Sequence, residues 1–154
     1  MTAIASGAWD FSCRDWEKRI REGSSLVPDL PLDQKMAQRA VTMFNKLRLP
    51  DVPGTPLLAD AAGQWFRDIV GVAFGSVVDG RRKVPEIFIL APKKSSKTSY
   101  SAALMLTALV MNERPRAELL FIAPSKLIAQ LAFDQAVGMI QEDDEGFLPD
   151  RTQI

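Results

Sequence analysis

Residues 91–98, Ala91-Pro92-Lys93-Lys94-Ser95-Ser96-Lys97-Thr98, carry the strongest chemical signal in the chain. Three lysines and three hydroxyls lie between two apolar stretches. That composition suits a loop that cradles phosphate, in which a lysine and a hydroxyl follow a turn that opens onto a helix. The common spacing for such a loop is G-x-x-x-x-G-K-[ST]. Here Ala91 and Ser96 replace the two glycines, while Lys97 and Thr98 keep their positions. In that role Lys97 reaches the β- and γ-phosphates of ATP and the Thr98 hydroxyl ligates Mg²⁺. Lys93 and Lys94 add positive charge, and Ser95 and Ser96 add polar contacts. A left-handed Ser96 would cost roughly 1–2 kcal/mol. Taken alone, the loop reads as well as a polar connection with solvated lysines.

The elements around the loop determine whether it can act in this way. Glu86-Ile87-Phe88-Ile89-Leu90 is short, apolar and rich in β-formers, which predicts a buried strand. Residues 98–112 predict an apolar helix, and Glu118-Leu119-Leu120-Phe121-Ile122-Ala123 predicts a second buried strand. Pro124 and Ser125 lead into a further helix, with Ser125 as its cap and Ile128, Leu131, Ala132, Ala136, Met139 and Ile140 on one face. Strand, loop, helix, strand, helix is a βαβ order, and a right-handed crossover would make the strands parallel. Upstream, helices are expected over residues 12–22, stopping at Gly23, over 33–47 and over 59–74. Pro50, Pro53, Gly54 and Pro56 form a linker between the second and third. Asp79-Gly80-Arg81-Arg82-Lys83 reads as a turn. No internal repeat is evident. The expected fold class is therefore α/β: a partial P-loop NTPase parallel sheet with flanking helices and an N-terminal helical extension. Residues 1–50 form the extension and 51–154 the N-terminal portion of the ATPase domain.

Composition narrows the chemistry. The 154 residues have zero formal net charge and 47% hydrophobic content, ordinary for a globular domain and unlike a strongly basic nucleic-acid-binding module. There is no histidine, so His-based acid–base catalysis, His-ligated metals and Ser-His-Asp or Cys-His mechanisms are excluded. The single cysteine, Cys13, allows no internal disulfide and fits a reducing cytoplasm. The N-terminus has no basic start or long apolar run, so neither a signal peptide nor a membrane span is expected.

With these motifs in order, the chain resembles the large terminase subunits of tailed bacteriophages. Pro92-Lys93-Lys94-Ser95-Ser96-Lys97-Thr98 followed by an Ala-rich helix is similar to their deviant Walker A loop, which often reads P-K-K-N-x-K-T. Ser95 stands where asparagine is usual, and it too can donate a hydrogen bond. Gly63-Gln64-Trp65-Phe66-Arg67-Asp68-Ile69-Val70 resembles the segment upstream of that loop. Leu120-Phe121-Ile122-Ala123-Pro124-Ser125 and Ala132-Phe133-Asp134-Gln135-Ala136 resemble segments downstream of it. The resemblance spans roughly residues 49–140. It implies an ATPase that drives double-stranded DNA into a capsid in the host cytoplasm, working as a ring with portal protein and a small terminase subunit. It implies ATP and Mg²⁺ as cofactors at residues 93–98, and adenine contact at Gln64 or Trp65. Read from the residues, Trp65 fits a core stripe better, and Gln64 fits exposed surface equally well.

An acidic pair at the end of a later strand, needed for hydrolysis, is not found after Ile140. Asp143, Asp144 and Glu145 follow no strand pattern and read as a solvated helix end. No catalytic residue is assigned, and the chain is expected to end within the ATPase domain, before a nuclease domain. Two strands alone would leave apolar edges open to partners. The alternative is a non-catalytic remnant or assembly module making protein contacts only. A small-molecule kinase is the weakest reading, since the flanking motifs do not support it.

Overall fold

The computed structural model describes residues 9–143, with Gly146 and Leu148. Its helices are α1 (Trp16–Glu22), α2 (Gln34–Lys46), α3 (Leu58–Ala61), α4 (Gln64–Gly75), α5 (Lys97–Val110) and α6 (Lys126–Gln141). Between α4 and α5 lie two short strands, β1 (Val77–Val78) and β2 (Arg81–Arg82). The chain divides into two compact units. One comprises the residues up to Val41 together with Gly63–Ile89; the other comprises Thr42–Ala62 and the residues from Leu90 on.

In the first unit, Gly23 adopts the left-handed conformation and ends α1, as its position after the last helical turn predicts. Arg19 then secures the segment that follows. Its guanidinium bonds the Asp15 carboxylate at 2.9 Å and the carbonyls of Ser25 and Val27 at 3.2 Å. Asp33 caps α2, its Oδ1 accepting from Met36 N at 3.0 Å. The helix expected over 59–74 is in fact two, α3 in the second unit and α4 in the first, because Ala62 and Gly63 are extended. Phe66, Val70, Val72 and Phe74 of α4 are buried. Gly75 closes α4 against the start of α2, with Asp33 N bonded to Gly75 O at 2.8 Å. The turn at 79–83 is a tight hairpin: Asp79 and Gly80 both have positive φ and reverse the chain between β1 and β2.

In the second unit, α5 and α6 pack together, and Ala102 and Ala103 of α5 and Ala132 and Ala136 of α6 are buried. Thr107 is buried within α5 with its hydroxyl donated to Ala103 O at 2.8 Å. The proline-rich linker is pinned at its base by bonds from Leu49 N to Pro56 O and from Leu58 N to Leu47 O. Phe44, Leu58 and Met139 are fully buried. Ser125 caps α6 as expected, its side chain accepting from Ile128 N. Of the expected α6 face, Ala132, Ala136 and Met139 are buried, whereas Ile128 and Leu131 are exposed.

The expected parallel sheet of a P-loop NTPase is not the observed architecture. The described residues are 48% helix, and the sheet among them is the two-stranded antiparallel hairpin β1–β2. Residues 86–90 and 118–123, both expected as buried strands, form no ladder and carry exposed apolar side chains. A parallel strand is stable only with ladder partners beside it and cover on both faces. Neither run has them, so apolar composition alone does not make either one a strand. Among the described residues, no helix is long and apolar enough to cross a membrane.

Candidate functional site

The loop before α5 is built from two left-handed residues that are not glycine. Lys94 has φ +66° and Ser96 has φ +55°. Between them, Ser95 Oγ donates to Pro92 O at 2.8 Å, which tightens the turn. Ser96 stands at the N-cap of α5 without a capping bond from its side chain. The first turn of α5 therefore presents N–H groups and the positive end of the helix dipole at this loop.

Lys97 opens the helix and folds back over the loop. Its Nζ donates to Ala91 O at 2.9 Å, to Ser95 Oγ at 3.2 Å and also to Pro92 O. The ammonium is thus held at the centre of the loop by two carbonyls and a hydroxyl. A phosphate taken up there would exchange these ammonium–carbonyl bonds for an ion pair. Lys93, Lys94, Ser96 and Thr98 are exposed, and Ser95 and Lys97 are half-buried. One turn further on, Tyr100 is buried and donates its hydroxyl to Ala61 O at 3.1 Å, which anchors the start of α5. The residues expected to bind polyphosphate, Lys93 to Thr98, therefore lie together on one short turn and the head of one helix. For an ATP–Mg²⁺ complex, this turn offers a lysine, a threonine hydroxyl in the first helical turn and an uncapped helix start. That donor set fits a metal-bound polyphosphate.

Gln64 and Trp65 belong to the other unit. Gln64 is exposed at the start of α4, with its amide donated to Asp68 Oδ1 at 2.8 Å and its carbonyl accepting from Arg67. It borders a cavity of about 300 Å³ within that unit, whose lining includes Arg19, Asp29, Arg67 and Asp68. Trp65 is 39% exposed and meets Phe66 edge-on at 5.3 Å, so it is neither a deep core residue nor free surface.

A second cavity of about 330 Å³ lies within the unit that carries the loop, lined by Thr42, Asn45, Lys46, Arg48, Leu57, Ala59 and Asp143. Sequence reasoning missed it, because its polar residues come from a helix end, a linker and a post-helical turn. Asp143 lines this cavity and accepts from Leu148 N at 2.6 Å, which ties down the chain after α6. It is therefore more than part of a solvated helix end. Asp144 and Glu145 lie outside the described residues. Among the described residues, no group of three or more acidic or cysteine side chains is placed to hold a metal ion. No family model, no curated protein and no solved structure matches the chain.

Proposed function

We propose that residues 91–98 bind the polyphosphate of ATP with Mg²⁺, and that the chain is the nucleotide-binding part of a terminase-type DNA-packaging ATPase. The observation that carries the nucleotide reading is the convergence of Lys97 Nζ on the loop at the uncapped start of α5. Lys97 supplies the charge, Thr98 the hydroxyl for the metal, and Lys93 and Lys94 a surrounding positive field. The terminase assignment, with its double-stranded DNA, portal protein, small subunit and ring partners, rests on the sequence resemblance around the loop.

The test is titration of Mg²⁺-ATP into the full chain by calorimetry, beside Lys97→Ala. Charge-assisted hydrogen bonds of this kind are worth about 1.5–3 kcal/mol, so the variant should bind about ten- to a hundred-fold more weakly. Equal binding by both chains sinks the assignment of the loop.

The second reading is a non-catalytic assembly module. It is favoured by the apolar side chains left bare at Phe88, Leu90, Leu120 and Ile122. Absent nucleotide binding, together with a stable complex with portal or small-subunit protein, selects it.

A further inference from the structure

The cavity of about 330 Å³ at the end of α2 lies wholly within one compact unit, and its lining carries both signs of charge. Asn45 and Lys46 come from the last turn of α2, and Asp143 follows α6. Arg48 and Leu57 are partners in an isolated antiparallel bridge. Such partners set their side chains on one side of the pair, so both border the cavity. Arg48 Nη1 is fixed by Thr55 O at 3.0 Å, and the Asp143 carboxylate by Leu148 N at 2.6 Å. These two charged groups are thus held in place before any ligand arrives. Asn45 adds a group that the fold does not explain. Its Oδ1 is buried and has no hydrogen-bond partner among the described residues. A buried acceptor left unpaired is costly, and native proteins seldom keep one that nothing serves. Asn45 lines the cavity, so a ligand there is placed to supply the donor.

We propose that this cavity binds a small apolar α-amino acid. Its carboxylate pairs with Lys46 and Arg48, its ammonium with Asn45 Oδ1 and Asp143, and its side chain lies against Leu57 and Ala59. The lining selects this class of ligand. Two cations beside one carboxylate match a zwitterion, whereas Asp143 would repel a polyphosphate. The planar guanidinium of Arg48 suits a carboxylate in particular. An ammonium is a donor of the kind that Asn45 Oδ1 lacks, and a simple carboxylate anion would leave that acceptor unpaired. Size narrows the choice further. Ligand cavities run from about 300 to about 1,000 Å³, and this one stands at the small end. The proposal is independent of nucleotide binding at residues 91–98.

The test is titration of L-leucine into the isotope-labelled full chain, to about 10 mM, followed by NMR. The amide signals of Asn45, Lys46, Arg48 and Ala59 should shift together and saturate. N-acetyl-L-leucine lacks the ammonium and L-leucinamide lacks the carboxylate. Each should bind about ten-fold more weakly than leucine, through loss of one charge-assisted contact. Lys46→Met keeps the exposed stem without the charge, and should weaken leucine about ten-fold while leaving L-leucinamide unchanged. Asn45→Leu removes the unpaired acceptor, so it should fold at least as stably as wild type and still lose leucine affinity about ten-fold. A purely structural Asn45 would not show that split. Absence of a saturating shift over the range overturns the proposal. So does an analogue that binds as tightly as leucine, or either variant keeping wild-type affinity for it.

Discussion

At the scale of single residues, the loop keeps two non-glycine residues in a backbone region that favours glycine. Ser96 has φ +55° and its side chain makes no capping bond, so the strain there has no local compensation. Ser96→Gly should relieve it and raise stability by about 1 kcal/mol, part of the relief being lost to the greater freedom of glycine when unfolded. Urea denaturation measures this, and an unchanged midpoint counts against strain at Ser96. The substitution also restores the glycine of the common phosphate-loop spacing, so Mg²⁺-ATP affinity should hold or improve. Lys97 and Thr98 could be placed from sequence, because spacing alone puts them at a helix start. That Lys97 would turn onto the Ala91 and Pro92 carbonyls could not be read, since carbonyl direction depends on backbone angles that no residue type in the loop dictates. At the other end of the chain, the hydrogen bonds from Arg19 hold the Asp15 carboxyl below its ordinary value of 3.8. The group is more acidic folded than unfolded. Its contribution to α1 is therefore fully present above pH 3.8 and is lost as pH falls through the lower, folded value. An NMR titration of the Asp15 carboxyl should show this depression, and Arg19→Ala should reduce it.

At the scale of elements, α4 offers a paired test within one helix. A Cβ at Gly75 would lie 2.8 Å from Ala37 Cβ and 3.1 Å from Asp33 O, so α4 approaches the start of α2 too closely for a side chain. Gly75→Ala should cost about 1–3 kcal/mol through overpacking. A Cβ at Gly71 would meet Val41 Cγ2 at 3.9 Å and Ala37 Cβ at 4.0 Å, which is ordinary contact. Gly71→Ala should therefore stabilise by about 0.5–1 kcal/mol, because alanine favours helix over glycine. Thermal or urea unfolding of both variants checks this, and shifts of the same sign contradict the packing described. Elements with local causes were legible in the sequence: the stop of α1 at Gly23, the cap of α6 at Ser125, and the chain reversal at Asp79-Gly80. The break of the third helix at Ala62–Gly63, where both residues are extended, was not read from the sequence. The runs at 86–90 and 118–123, expected as strands, form none. Apolar β-formers report that a segment can be buried, whereas a ladder requires a neighbouring strand that the segment itself does not encode.

At the scale of the whole molecule, large apolar side chains remain at the surface: Phe88, Leu90, Leu120, Ile122 and Leu127 are all at least 74% exposed. A chain that associates with copies of itself, as a ring ATPase does, has a stability that depends on its own concentration, because folding is then coupled to association. For a dimer that unfolds to two chains, each tenfold rise in concentration adds about 1.4 kcal/mol per dimer, or about 0.7 kcal/mol per chain. For a domain of this size that raises the melting temperature by about 2 °C per decade. Differential scanning calorimetry of the wild-type chain over two decades of concentration should show this climb. Phe88→Lys, which puts a charge at one of these exposed apolar positions, should flatten it. A wild-type melting temperature independent of concentration would mean that the bare faces stay open to solvent in the folded protein. The cost of that exposure would then fall on the isolated chain.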